Sequence, residues 1–166
     1  ISLAAKNIDG VILNPGDEFS YNETVGQRTE SAGFKKAGAY ANGKVVQELG
    51  GGICQVSSTL YCAALYANLK ITDRTCHYFP VDYLPSGLDA TVSWKTPDFK
   101  FKNDRDYPIK LVAKCDTSQK TLTVEIWGTN TDGSYVEMKY STWKYYDSNN
   151  PTAPLPVTGT TTRTAR

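Results

Sequence analysis

The chain has 166 residues, of which 40% are hydrophobic and 21% charged, and its formal net charge is +1. These values predict one globular domain with a sizeable core, and they exclude a disordered chain. The balanced charge argues against nucleic acid or an anionic membrane surface as a partner. No run approaches the roughly 20 apolar residues of a transmembrane helix, so we expect the domain itself not to span a membrane. Because the chain begins with Ile1 and shows no signal peptide, we expect it to be part of a longer protein.

Local patterns in the first half of the chain predict short elements. Apolar residues at helical spacing before Gly10 predict a helix, and the Asn42-Gly43 pair between two extended runs predicts a hairpin. In chain order, the predicted elements are a helix over residues 1–9, a strand over 11–13, a turn over 14–17, extended chain at Phe19 and Tyr21, a loop over 22–35, and hairpin strands over 37–41 and 44–49.

The second half combines one helix with further strands. Val56, Leu60 and Ala64 recur at helical spacing, which predicts a helix over 53–69. The remaining predictions are strands over 71–78 and 88–94, a second hairpin with strands over 109–115 and 122–127, and a last strand over 135–140. After Ser141 the sequence is rich in Thr, Pro, Asn and Ser, as is typical of a linker.

These elements predict an α+β fold. A central helix, bearing Cys54 at its N-terminus, is expected to pack on antiparallel strands and hairpins. Residues 1–140 would form the domain, and residues 141–166 would form a Thr/Pro-rich linker toward a further, downstream module. We expect the domain to be a monomer.

The cysteine and histidine content limits the chemistry. Four cysteines, Cys54, Cys62, Cys76 and Cys115, form no CxxC pair, and the chain has a single histidine. A zinc site is therefore not expected, and we predict neither a metal nor another cofactor. Burial is the usual state of free cysteine, so Cys62 and Cys115 are interpreted as core residues.

The segment from Gly50 to Ser58 carries the main chemical signal. Three glycines allow a sharp turn and a close approach of substrate, and the predicted helix then begins with Cys54 in its first turn. A helix start favours a thiolate and offers unpaired amides to a developing oxyanion, as a cysteine nucleophile requires. The alternative, that the glycines are a connector and Cys54 a small core residue, stays open on the residues alone.

A cysteine nucleophile also needs a base. His77 is the one histidine available, 23 residues after Cys54, and it would serve if the strand over 71–78 packs beside the helix. Asp82 and Asp89 both lie close to His77 in sequence, and either could orient its imidazole. A purely structural histidine is the alternative.

A longer run around Cys54 carries a family resemblance. The run GGGICQVSSTLY at residues 50–61 is accompanied, in order, by NPGDEFSYN at 14–22, VGQRT at 25–29, YANG at 40–43, His77, FPV at 79–81, YLP at 83–85, GLDATV at 87–92 and FKN at 101–103. Together these segments resemble the VanW family over roughly residues 1–130. A dozen-residue motif with ordered flanking segments is far more specific than a lone glycine pattern.

The resemblance implies a function. Some VanW proteins are regarded as L,D-transpeptidases, transferases that join the third residues of two peptidoglycan stems, and family members are typically anchored or exported proteins of Gram-positive bacteria. Cys54 would be the nucleophile that forms a thioester with a tetrapeptide stem, and His77 the base; L,D-carboxypeptidase activity would use the same acyl-enzyme. The expected location is extracellular or in the cell envelope, with anchoring through regions outside this sequence.

Substrate contacts are expected around the same motif. The expected substrate-binding residues are Gly51, Gly52, Gln55, Ser57, Ser58, Arg28 and Tyr83. Arg28 would bind a stem carboxylate in bidentate fashion, although an ordinary surface ion pair is slightly favoured for it. Tyr83 and Trp94 would line the groove, unless they belong to the core.

Two other functions compete with the transpeptidase. The first is a non-catalytic module that binds peptidoglycan stems, with a structural Cys54, and the second is a cysteine endopeptidase or amidase of the cell wall.

A departure from the family pattern adds a further hypothesis, because Cys62 and Cys76 are unexpected cysteines. A disulfide between them would lie beside His77 and fix its position.

Overall fold

The computed structural model describes residues 1–41, 44–131, 133–144 and 157–165. Within these residues the chain forms three helices, namely α1 (Ser2–Ile8), α2 (Tyr21–Val25) and α3 (Ile53–Tyr66). The strands described are β1 (Ile12–Leu13), β2 (Glu18–Ser20), β3 (Lys36–Ala41), β4 (Lys44–Leu49), β5 (Lys70–Asp73), β6 (Lys100–Lys102), β7 (Ile109–Asp116), β8 (Thr121–Trp127), β9 (Val136–Lys144) and β10 (Val157–Ala165).

The described strands form small antiparallel sheets. Two sheets have three strands, in the orders β1-β7-β8 and β2-β6-β5, and two are ribbons, β3-β4 and β9-β10. The predicted mixed α+β class with antiparallel strands is therefore confirmed.

The core lies around α3, which is central as predicted. Phe19 of β2 stacks on Phe101 of β6 with ring centroids 5.0 Å apart, and both are buried. Tyr61 of α3 meets the edge of Phe99, next to β6, at 5.6 Å. Because α3 also contacts β8, the helix joins the two three-stranded sheets, and its position fixes the residues at its N-terminus.

Helix α3 ends three residues earlier than predicted. Asn68 adopts a left-handed φ of 54°, a conformation that asparagine tolerates better than most residues. The Leu69 amide then donates to the Ala64 carbonyl and the Asn68 amide to the Leu65 carbonyl, as in a Schellman-type cap. The predicted end at residue 69 is wrong because this cap closes the helix after Tyr66.

The prediction of extended chain at Tyr21 and of loop from residue 22 is also wrong, because Tyr21–Val25 is a short helix. Ser20 is its N-cap, and the Ser20 side chain accepts a hydrogen bond from the Glu23 amide at 3.1 Å. The Ser20–Glu23 spacing is that of a capping box.

Two predicted strands are largely absent from the described residues. The strand over 71–78 is limited to Lys70–Asp73, and the strand over 88–94 is reduced to a single bridge between Thr75 and Thr91. In the second segment, the backbone carbonyl and amide of Ala90 hydrogen-bond to the side chains of Ser57 and Ser58 in α3. They are therefore not available to a neighbouring strand.

The remaining strand predictions are confirmed in outline. Both hairpins and the strand near residues 135–140 are present, although the Asn42-Gly43 turn lies outside the described residues. Within the segment interpreted as a linker, Val157–Ala165 pairs with β9. The domain boundary at residue 140 stays a prediction.

Candidate active site

The glycine segment places Cys54 in the first turn of α3. Gly52 is the N-cap residue, with a left-handed φ of 85°. Gly51 passes so close to β3 that a Cβ atom there would lie 2.4 Å from the Ala37 carbonyl oxygen. These two positions therefore need glycine for the backbone alone, which accounts for part of the motif without a substrate.

An extended segment over residues 89–92 crosses the start of α3. The Ser57 hydroxyl donates to the Ala90 carbonyl at 2.6 Å, and the Ala90 amide donates to the Ser58 hydroxyl at 2.9 Å. Both serines are fully buried. The serines of the motif thus hold this segment against the helix.

His77 and Asp89 meet beside Cys54. One carboxylate oxygen of Asp89 lies 2.7 Å from His77 Nδ1 and accepts the His77 backbone N–H at 2.6 Å. His77 also acts on the Cys54 side chain and lowers the pKa of its thiol. Because Asp89 engages Nδ1, Nε2 is the ring nitrogen left for the sulfur. Asp82 is exposed, and no described contact joins its carboxylate to His77. Of the two aspartates left open by the sequence, the structure brings Asp89 to the histidine.

Arg74 completes the surroundings of Asp89. Its Nη2 donates to the other carboxylate oxygen of Asp89 at 3.0 Å, and its Nε donates to the Asp89 carbonyl at 2.7 Å. Burial raises the pKa of the Asp89 carboxyl, but hydrogen bonds from His77 and the charge of Arg74 have the larger effect. The pKa of Asp89 therefore lies below its usual value. Asp89 is therefore an ionised partner for an imidazolium.

The same contacts favour an ion pair between Cys54 and His77. Burial disfavours the thiolate, but His77, the Val92 amide and the Thr91 hydroxyl outweigh it and lower the pKa of Cys54. Burial also disfavours the imidazolium, yet the hydrogen bond to Asp89 and the influence of Cys54 raise the pKa of His77 to about 9. Both shifts are in the direction of a thiolate facing an imidazolium.

Arg28 is buried, which argues against an ordinary surface ion pair. Its Nη2 donates to the Asn22 side-chain oxygen at 2.7 Å, and its guanidinium lies 5.5 Å from the centre of the Tyr21 ring. Its Nε and Nη1 are buried without a hydrogen-bond partner among the described residues. Burial lowers the pKa of Arg28, while the charges of Tyr21, Cys54 and Asp98 oppose that shift.

The other predicted contacts lie around α3. Tyr83 is half-buried, and burial raises the pKa of Tyr83 to about 12. Gln55 is half-buried in the first turn of the helix, whereas Trp94 is exposed. Tyr83 thus lies in the group around Cys54, because Ser58 and the charge of Cys54 also act on its pKa.

Arg74, Thr91 and Tyr21 are the site residues that the sequence analysis missed. The Thr91 hydroxyl lies 3.7 Å from the Cys54 sulfur, and the Tyr21 hydroxyl donates to the Ile53 carbonyl at 3.0 Å. A signal existed for Thr91, because Asp89, Ala90, Thr91 and Val92 alternate polar and apolar residues, which predicts that Asp89 and Thr91 share one side of an extended segment.

All four cysteines, each within the described residues, are free. The hypothesis of a Cys62–Cys76 disulfide is therefore contradicted, and the hydrogen bonds of Asp89 fix His77 instead. Among the described residues, no group of three or more His, Cys, Asp or Glu side chains is arranged to hold a metal ion. No helix in the described part of the chain has the length and apolar character needed to cross a membrane.

Comparisons with known proteins agree with the motif around Cys54. A relative in Bacillus subtilis (strain 168), the protein YoaR, is 48% identical over 114 residues, covering 69% of this chain and 38% of its own. Another, the vancomycin B-type resistance protein VanW of Enterococcus faecalis (strain ATCC 700802 / V583), is 34% identical over 111 residues, covering 64% of this chain and 40% of its own. The chain thus spans about two fifths of the length of each relative. No solved structure shows significant similarity to it.

The family model described as VanW like protein matches residues 1–127, which is most of the sequence and includes every residue of the site described above. The chain therefore belongs to the VanW family.

Proposed function

We propose that the chain is a cysteine-dependent L,D-transpeptidase that forms 3-3 cross-links between peptidoglycan stems. The observation that carries this proposal is the series Cys54–His77–Asp89 at the start of α3, in which Asp89 is hydrogen-bonded to His77 and His77 lowers the pKa of Cys54. A nucleophile, a base and an orienting carboxylate in this order are the minimum set for acyl transfer. The series supports the reaction class, and the family supports the cell wall as its setting.

The first chemical step is acylation of Cys54. The thiolate attacks the carbonyl of the third stem residue, the new C–S bond forms, and the carbonyl electron pair moves to oxygen. When the intermediate collapses, the C–N bond to the terminal D-alanine breaks, and the leaving amine takes the proton of His77. The Cys54 amide lies in the first turn of α3, so no carbonyl of the helix is placed to accept its hydrogen bond. This amide is therefore suited to donate to the oxyanion.

The second step releases the acyl group. The side-chain amine of an acceptor stem gives up a proton to His77 and attacks the thioester, and the C–S bond breaks. Water in place of the amine gives L,D-carboxypeptidase activity from the same intermediate.

Three features support peptidoglycan stems as the substrate. The Enterococcus faecalis relative is named for vancomycin resistance, a property of cell-wall chemistry. Gln55 and Tyr83 lie half-buried around the start of α3, where a bound stem would pass. The buried guanidinium of Arg28 interacts electrostatically with Cys54, and its positive charge favours an anionic stem. We accordingly propose a monomeric enzyme of the Gram-positive cell envelope, anchored through regions outside this sequence.

Incubation of the chain with disaccharide-tetrapeptide, followed by mass spectrometry, tests the proposal. We expect a cross-linked dimer and free D-alanine from the wild type, and neither from Cys54→Ala. Cys62→Ala is the matched control, because burial and the charge of Asp89 raise the pKa of the Cys62 thiol to about 11. It should retain activity.

Each of the other outcomes points to one alternative. Tripeptide without dimer would identify a carboxypeptidase, and loss of cross-links from polymeric peptidoglycan would identify an endopeptidase or amidase. Unchanged substrate, together with binding of the stem by both wild type and Cys54→Ala, would overturn the enzymatic proposal in favour of a stem-binding module.

A further inference from the structure

The sulfur of Cys54 has polar neighbours besides His77. Thr91 Oγ1 lies 3.7 Å from it, and the amide nitrogen and carbonyl oxygen of Val92 each lie 3.5 Å from it. These contacts respond to the protonation state of Cys54. A neutral thiol can donate to the Val92 carbonyl, whereas a thiolate can only accept, from the Val92 amide and the Thr91 hydroxyl.

The Thr91 hydroxyl is the mobile member of this set. The Val92 amide is fixed by the backbone, but a threonine hydroxyl hydrogen rotates to suit its acceptor. Among the described residues, this hydroxyl has one polar partner, the sulfur of Cys54. Thr91 is half-buried, so water competes only partly for the bond.

The backbone holds Thr91 in place from both sides. Its amide donates to the Thr75 carbonyl at 2.8 Å, and its neighbour Ala90 is bonded to Ser57 and Ser58 of α3. In an extended segment, side chains two residues apart point to the same side. The segment that supplies Asp89 to His77 therefore also supplies the Thr91 hydroxyl to the sulfur.

We propose that Thr91 is a further catalytic residue, whose hydroxyl donates to the Cys54 thiolate before attack and to the oxyanion after it. When the C–S bond forms, the sulfur loses its charge and the carbonyl oxygen gains it, so the hydroxyl hydrogen follows the charge by rotating about Cβ–Oγ. When the C–N bond breaks, the carbonyl reforms and the oxyanion disappears. No proton leaves Thr91 at any step. The oxyanion part of this inference rests on the proposed acyl transfer, whereas the thiolate part does not.

The test compares Thr91→Val, which keeps the shape and removes the hydroxyl, with Thr91→Ser, which keeps the hydroxyl. The pH profile of Cys54 alkylation by iodoacetamide measures the thiolate. We expect the profile of Thr91→Val to move to higher pH and that of Thr91→Ser to stay near the wild type. At a pH above the midpoints of both proteins but below the pKa of His77, about 9, single-turnover acylation by disaccharide-tetrapeptide should still be roughly 10²-fold slower in Thr91→Val, the usual cost of one lost oxyanion donor.

Thr75→Val is the matched control, because Thr75 is the exposed bridge partner of Thr91 and no described contact joins its hydroxyl to the sulfur. It should match the wild type in both measurements. The ionisable groups that act on Cys54 or on its histidine are unchanged in all of these variants. They are His77 in the loop after β5, Arg28, Tyr21 of α2, Tyr83, and Asp89 through His77.

The outcomes separate this proposal from the proposed function. Identical alkylation profiles for Thr91→Val and wild type would overturn the thiolate contact, and equal acylation rates at full ionisation would overturn the oxyanion contact. A loss shared equally by Thr91→Ser and Thr91→Val would also overturn it, since packing would then be the cause. A wild type that forms no acyl-enzyme would overturn the proposed transpeptidase function. Alkylation needs no substrate, so its pH profile would still decide whether Thr91 donates to the thiolate. If Thr91→Val does not fold, Thr91→Ala against Thr91→Ser makes the same comparison.

Discussion

Two groups favour the charged form of His77. The Asp89 carboxylate lies 2.7 Å from Nδ1, and the Cys54 side chain acts on the same imidazole. Because hydrogen bonds and charge outweigh burial here, the pKa of His77 rises to about 9. The imidazolium therefore persists through neutral pH and is lost only as the pH rises through about 9. At the residue scale, Asp89 thus controls both the orientation and the charge of the imidazole.

The influence of Asp89 on His77 predicts the effect of Asp89→Asn. The substitution removes the negative charge, so the titration midpoint of His77 should fall from about 9 toward the ordinary histidine value. A smaller share of His77 would then be protonated near pH 8, and acylation there should fall by roughly 10²–10⁴-fold. Because the chain has a single histidine, its ring proton gives one unambiguous NMR titration. Asp82→Asn is the control, and an equal shift in both variants would refute the assignment of Asp89.

The turn between β4 and α3 shows how an element sets the position of Cys54. Gly51 leaves no room for a side chain, since a Cβ atom there would lie 2.4 Å from the Ala37 oxygen and 2.6 Å from the Ala37 carbon. Both atoms belong to the backbone of β3, which cannot move without disturbing its hydrogen bonds to β4. The β3-β4 ribbon and the start of α3 therefore have one relative position.

Gly51→Ala should lower the free energy of unfolding by about 1–3 kcal/mol, the usual cost of overpacking, and should slow alkylation of Cys54 in the folded protein. Chemical denaturation and iodoacetamide labelling measure the two effects. Gly128→Ala is the control, because its Cβ would meet a side-chain methyl of Ile109 at 3.0 Å, far from the cysteine in the chain. A Gly51→Ala variant as stable as the control would contradict this account of the glycine motif.

Some of the helices and strands could be predicted from the sequence, and others could not. Helix α3, both hairpins and the position of Cys54 follow from local signals such as helical spacing, the Asn42-Gly43 pair and the glycine run. The strand over 88–94 does not, because Ala90 is bonded by Ser57 and Ser58, more than 30 residues away. Its extended pattern was visible, but its partner was a helix and not a strand.

The site residues divide in the same way. Cys54 and His77 were predictable from the motif and from the single histidine. The choice between Asp89 and Asp82 was not, since both lie within 12 residues of His77 and only the path of the chain brings Asp89 to the imidazole. Arg28 was expected at the surface, yet it is buried over Tyr21, because α2 folds back beneath the start of α3.

At the scale of the whole molecule, the site is assembled from distant parts of the chain. Cys54 contacts Val92 across 38 residues, and the intervening chain returns past β5 to supply His77. Neither of the two segments that face Cys54 is a regular strand, so their positions depend on hydrogen bonds to α3 and on the bridge between Thr75 and Thr91. Before β6, the chain is held separately, by Asp98.

Asp98 joins α2 to the segment that follows Val92. Its buried carboxylate accepts the Ser20 hydroxyl at 2.6 Å, the Asn22 amide at 2.9 Å and the Phe99 amide at 2.8 Å. Removal of the carboxylate leaves several buried donors unpaired, and each such donor costs about 1–3 kcal/mol. We therefore expect Asp98→Ala to reduce the free energy of unfolding by roughly 3 kcal/mol or more.

The effect of Asp98→Ala should appear in global stability and not in the chemistry of the folded protein. Asp98 makes no described contact with the sulfur of Cys54, so the alkylation profile measured well below the unfolding transition should match the wild type. Asp104→Ala is the control, since the exposed Asp104 accepts a single amide, that of Lys70, at 3.3 Å, and it should leave stability nearly unchanged. An altered alkylation profile in Asp98→Ala would mean that the segment before β6 acts directly on Cys54. An unchanged unfolding free energy would mean that α2 is held to the rest of the molecule by other contacts.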